Sequence, residues 1–127
     1  MTDRLAVGRE GEEKAALYLK NNGYRILERN FRNKLGEIDI IARCKDVLCF
    51  IEVRTRQGEV SHGFALESVG AIKQQKLSKL AVSFLKQKDL LDKVQARFDV
   101  VSVSMSDHGA CDIVLIKDAF PVAVKYS

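Results

Sequence analysis

Apolar positions change period several times along the chain, and each change marks an element. Over residues 4–21 Ala15, Ala16 and Leu19 form a helical stripe, with Leu5 and Val7 near its start and Asn22-Gly23 as a C-terminal stop. The stretch "YRILERNF" then reads as a strand, with Tyr24, Ile26 and Leu27 apolar. Two further apolar runs, near 35–43 and 48–55, read as a pair of strands. Residues 55–68 show no period and contain glycines, which predicts a mobile loop. A long helix follows over 70–88, where Leu77, Leu80, Ala81, Phe84 and Leu85 repeat at the spacing of one buried face and Gly70 is the candidate N-cap. Strands are expected at 97–105 and 111–117, joined by a turn at Asp107-His108-Gly109, with 118–127 as a C-terminal tail. The order αβββαββ, with near-continuous apolar runs, predicts an α/β fold: a mixed central sheet flanked by helices, as a single domain over 1–127.

The hairpin at 36–56, "GEIDIIARCKDVLCFIEVRTR", carries acids inside apolar runs. Its one strongly polar pair, Lys45-Asp46, marks the turn. A turn there sets Asp39 across from Glu52, Glu37 across from Arg54 and Ile41 across from Phe50. Alternation puts Glu37 and Asp39 on one face with Glu52 and Arg54, and Ile38, Ile40, Ala42, Cys49, Ile51 and Val53 on the other. Opposed like charges lie about 5 Å apart and destabilise the pair. A proton held on one acid, a nearby base, or a divalent cation such as Mg²⁺ or Mn²⁺ would each relieve them. Without such a site, the same residues make a solvated sheet face with a Glu37–Arg54 ion pair.

Composition narrows the setting. The chain has 127 residues, 46% hydrophobic and 30% charged, which suits one soluble globular domain. No apolar run is long enough for a membrane helix, and the N-terminus lacks the basic-then-apolar order of a secretory signal, so a cytoplasmic protein is expected. A net charge of +4 favours a polyanionic partner. Cys44, Cys49 and Cys111 lack zinc-site spacing, and alternation is read as placing Cys44 and Cys49 on opposite faces, so reduced thiols are expected. His62 and His108 are isolated. Lys73, Lys76, Lys79 and Lys86 lie around the polar side of the long helix, whose default role is solvation. Phe31 and Phe98 read as buried, and Asp99 as a structural hydrogen-bonding group.

The pieces "GREGEEKAALYLKNNGYRILERNFR", "GEIDIIA", "FIEVRTR", "VGAIKQQKL" and "RFDVV", in this order, resemble the YraN-like family of small bacterial proteins. That family is similar to the Holliday-junction resolvases and belongs among restriction-endonuclease-like folds. The resemblance implies the superfamily's D-x(n)-(D/E)-x-K signature, with Asp39 on the first acid and Glu52 on the second. It also implies Glu12, in "GEE", as a helix-borne acid, so that Glu12, Asp39 and Glu52 would hold Mg²⁺ or Mn²⁺ with Glu37 beside them. Arg54 stands where the signature has lysine; it stays protonated and so stabilises charge rather than accepting a proton. Lys34 and Lys73 are the alternative bases. Arg54, Arg56, Lys34 and Lys73 are the expected nucleic-acid contacts. The implied partner is DNA, branched DNA included, and a homodimer is the assembly to test. The function implied is a metal-dependent endonuclease; the alternative is a non-catalytic nucleic-acid-binding or protein-interaction module that keeps the fold.

Overall fold

A computed structural model describes residues 4–57, 69–106 and 110–122. Helix α1 (Arg4–Asn21) leads into three antiparallel strands, β1 (Tyr24–Asn33), β2 (Gly36–Cys44) and β3 (Val47–Gln57). Helix α2 (Ala71–Gln87) then connects β3 to β4 (Gln95–Met105), and β5 (Cys111–Pro121) closes the chain order. The five strands form one sheet in the order β1-β2-β3-β4-β5. β3 and β4 are its parallel pair, a connection that needs a crossover, and α2 supplies it. The mixed sheet flanked by helices is therefore as expected. Several boundaries shift: β1 runs on to Asn33, β4 starts at Gln95, β3 runs to Gln57 into the predicted loop, and β5 runs to Pro121 into the predicted tail. Residues 58–68, with His62, and the turn at 107–109, with His108, lie outside the described residues. No helix among those described is long and apolar enough to cross a membrane.

The sheet is buried on both faces because both faces carry aliphatic side chains. On one, α2 lays Leu77, Leu80, Ala81 and Phe84 against Ile38, Ile41, Phe50 and Phe98. Phe84 meets Phe50 edge-on at 5.9 Å and Phe31 at 5.4 Å, favoured geometries for ring pairs. On the other, Ala15, Ala16 and Leu19 of α1 cover Ile40, Ala42, Cys49, Ile51 and Val101. Small residues on α1 bring its axis close to the strands. Gly70 caps α2 with extended backbone (φ −62°, ψ 155°) and no side-chain bond.

The expected hairpin register holds: Ile41 pairs with Phe50 and Ile40 with Ile51. The expected sharing of faces does not. Ile38 and Ile41 both pack under α2, while Ile40 and Ala42 pack under α1, which strict alternation forbids. The break sits at Asp39, and the facing strand breaks with it. Asn30 has φ +56°, and the β1–β2 ladder passes from Arg29↔Ile40 to Phe31↔Ile38 without pairing Asn30 to Asp39. Cys44 and Cys49 also share the α1 side rather than opposite faces, because Ala42 opposes Cys49 and Cys44 opposes Val47. All three cysteines are free, and burial pushes the Cys49 thiol up to about 12, with the Asp99 charge adding to it.

Candidate functional site

The break at Asp39 opens the end of the β2–β3 pair. Their ladder runs from Cys44↔Val47 to Ile40↔Ile51 and stops. Beyond it the Val53 N–H donates to Asp39 Oδ2 at 2.8 Å, so a side-chain carboxylate takes the place of a strand carbonyl. Asp39 and Glu52 stay neighbours, but the cross-strand backbone pair expected for them is replaced by this bond.

Helix α1 reaches the same place. Gly11 lies against Thr55 so closely that a β-carbon there would overlap the Thr55 side chain. Its lack of a side chain lets α1 approach β3 and brings Glu12, the next residue, over the strand end. Glu12, Glu37 and Asp39 each turn a carboxylate oxygen into one group, all within 4.8 Å of one another. Gly11 was missed in the sequence, although Gly11, Ala15 and Leu19 fall on one helical stripe (i, i+4, i+8) and all three are buried. Gly11→Ala is expected to cost about 1–3 kcal/mol through overpacking. Urea denaturation checks this, and an unchanged midpoint would mean that α1 can shift away freely.

Glu52 stands apart from the trio. Alternation from Phe50 points it to the α2 side, where Lys73 Nζ meets its Oε1 at 2.7 Å. Of the resemblance's metal set, Glu12 and Asp39 are brought together, Glu37 joins them, and Glu52 flanks them while bound to Lys73. Glu37 pairs with Arg32 of β1 at 2.9 Å instead of the expected Arg54. The reason is register: Arg32 and Glu37 are direct partners across β1–β2, whereas the β2–β3 ladder has already ended. Arg54 and Arg56 follow Glu52 along β3, in register with Ser102 and Ser104 of β4. Lys34 is exposed in the β1–β2 turn.

These charges act on Asp39. Burial raises its carboxyl from 3.8 to about 7, the Val53 N–H opposes that rise, and Glu52, Glu12 and Glu37 add to it. A carboxyl half-titrated near neutral pH among three others has two chemical outlets, a proton or a cation. The donors are hard carboxylate oxygens on a helix and a strand, the set that suits Mg²⁺ or Mn²⁺.

A Syntrophus aciditrophicus UPF0102 protein is 49% identical over 123 residues, covering 97% of this chain and 94% of its own. A Geotalea uraniireducens UPF0102 protein is 47% identical over 121 residues, covering 95% and 94%. Among solved structures, Pyrococcus furiosus SfsA in complex with Ca²⁺ matches 91% of this chain and spans 64% of its own, at 14% identity and a TM-score of 0.38. The model of the uncharacterised protein family UPF0102 matches residues 11–103, a span holding Gly11, Glu12, Glu37, Asp39, Glu52 and Lys73, and the chain belongs to that family.

Proposed function

We propose that this protein binds nucleic acid and hydrolyses its phosphodiester bonds with Mg²⁺ or Mn²⁺, in the manner of the restriction-endonuclease-like fold and its Holliday-junction resolvases. The convergence of Glu12, Glu37 and Asp39 at the open end of the sheet carries the reading. Further support comes from the element order αβββαββ and from acids on its second and third strands.

Glu12, Glu37 and Asp39 would hold the cation, with Glu52 beside them. When bound, a divalent cation lowers the pKa of a coordinated water and neutralises phosphate charge. The chain's own residues do the rest. The Val53 N–H fixes the Asp39 carboxylate in place. Lys73 brings an ammonium to Glu52 from α2, standing in for the signature lysine that Arg54 replaces. Arg54 remains protonated and serves to stabilise charge on phosphate rather than to accept a proton.

The test is incubation of purified protein with linear and branched DNA in Mg²⁺ or Mn²⁺. Cleavage is expected, and it should fall on the order of 100-fold or more in Asp39→Ala and in Glu52→Ala, as loss of several kcal/mol of charge stabilisation requires. Cleavage that survives both substitutions belongs to a contaminant and removes the hydrolytic reading. Salt-sensitive binding without cleavage identifies a non-catalytic nucleic-acid-binding module.

A further inference from the structure

The acid site alone repels a polyanion, so a strand that reaches it needs cations alongside. Helix α2 supplies them in a line. Ile72, Lys76, Lys79 and Ser83 recur at i, i+4, i+7 and i+11 and share one stripe of the helix, next to the buried stripe of Leu77, Leu80 and Phe84. The stripe starts beside Lys73, which holds Glu52. It ends where Ser83 Oγ meets Asn33 Nδ2 at 3.2 Å, and Asn33 begins the β1–β2 turn with Lys34 and Leu35. Gly36 fixes that turn: its φ of +139° excludes most side chains, and a β-carbon there would touch Leu80 at 3.5 Å. The line from Ile72 to Ser83 is ~16 Å long, enough for a few nucleotides.

Two features suit this stripe to a polyanion with unpaired bases. Lys34, Lys76 and Lys79 are exposed and have no acidic partner among the described residues; other exposed lysines such as Lys20, Lys88 and Lys117 share that, but Lys76 and Lys79 follow Lys73 on the helix that reaches Glu52. Exposed aliphatic side chains stand at both ends of it: Ile72 is 74% and Leu35 45% accessible. Lysines bind phosphates, but an aliphatic side chain gains nothing from phosphate or water. It gains from the face of an unpaired base, or by wedging between bases that have come apart.

Resting on the nucleic-acid reading above, we propose that the Ile72–Lys76–Lys79 stripe and the Lys34-Leu35 turn form a track for a strand with unpaired bases, leading it to the Asp39 site. Lys34, Lys76 and Lys79 take the phosphates, and Leu35 and Ile72 take the bases. DNA and RNA share this chemistry.

The experiment measures binding of the full chain to a fluorescent blunt DNA duplex and to the same duplex with a single-stranded tail of DNA or of RNA, in Mg²⁺ and in EDTA. The tailed probes should bind more tightly than the blunt one, and the stronger of the two tails identifies the natural strand. Combined Lys34→Gln, Lys76→Gln and Lys79→Gln should weaken tailed binding at least tenfold and reduce the salt slope by about 2. Leu35→Ser with Ile72→Ser should cut the preference for a tail about fivefold or more while blunt binding stays the same. All five positions are exposed, so melting temperatures should stay at the wild-type value. A lysine variant with wild-type affinity and slope overturns the track. A serine variant that keeps the preference, or loses blunt and tailed binding equally, overturns the base contacts. Absence of binding to every probe in both conditions removes the nucleic-acid reading as well. Track behaviour as expected without cleavage removes only the hydrolysis.

Discussion

Asp99→Ala is expected to destabilise the protein by about 3–5 kcal/mol, the loss found when one member of a buried charge pair is removed. Asp99 is fully buried on β4 and every part of its carboxylate is in use. The Tyr24 hydroxyl donates to Oδ2 at 2.7 Å, and Arg97 Nε and the Asp118 N–H donate to Oδ1 at 3.0 and 2.8 Å. The bond from Tyr24 joins β1 to β4 beneath the two strands between them, and that from Asp118, at φ +54°, fixes the bulge opposite Phe98 and Val100. Burial opposes charge on Arg97, and the Asp99 and Tyr24 hydrogen bonds more than offset it. Alanine would take the acceptor from a phenol and a backbone N–H and leave the Arg97 guanidinium only the Tyr24 hydroxyl, at 3.3 Å. Against a total of ~5–15 kcal/mol for a domain of this kind, that loss is a large fraction of the stability. Asp99→Asn keeps the shape and loses the charge, so it should fall between alanine and wild type. Urea denaturation followed by far-UV circular dichroism reads both, since the chain has no tryptophan. A wild-type midpoint for alanine would mean that water replaces the carboxylate.

Asp39→Asn has the opposite sign. In metal-free protein the Asp39 carboxyl is raised from 3.8 to about 7, chiefly by burial and then by its acidic neighbours. The folded state therefore binds a proton that the unfolded chain has released. Stability conferred by that proton is complete below pH 4 and is lost as pH rises through 7. Wild-type protein in EDTA should accordingly melt lower at pH 8 than at pH 5.5. Asparagine has no charge to bury and still accepts the Val53 N–H, so the variant should be more stable than wild type at pH 8 by about 1–3 kcal/mol. The difference should shrink at pH 5.5. Mg²⁺ or Mn²⁺ should raise the wild-type melting temperature at pH 8 and leave that of the variant nearly unchanged. An Asp39→Asn protein less stable than wild type at pH 8 would show that the carboxylate is already neutralised without a cation. A residue that lowers stability when charged, in a domain otherwise well packed, supports the cation site proposed above.

Several parts of this molecule are legible in its sequence because they are local. The stripes Ala15-Ala16-Leu19 and Leu77–Leu85 announce their helices, and Lys45-Asp46 sets the hairpin register through the turn. The resemblance placed Glu12 beside Asp39, and the fold brings them together. Alternation carried too far was the source of error. It assigned Glu37, Asp39 and Glu52 to one face, but the strand changes sides at Asp39 while Asn30 does the same across from it. Glu37 took Arg32 rather than Arg54 because the β2–β3 ladder ends at the break, whereas the β1–β2 ladder resumes beyond it and pairs Arg32 with Glu37.

What the sequence by itself determined is therefore the set of elements, their order and the hairpin register, since helical period, strand period and turn chemistry act over a few neighbouring residues. The tertiary structure alone decided which acids meet, that Lys73 answers Glu52, that Gly11 admits α1, and that Asp99 collects donors from three strands. Those outcomes depend on how close two helices come to a sheet, and on charge interactions summed through space between residues up to 75 positions apart.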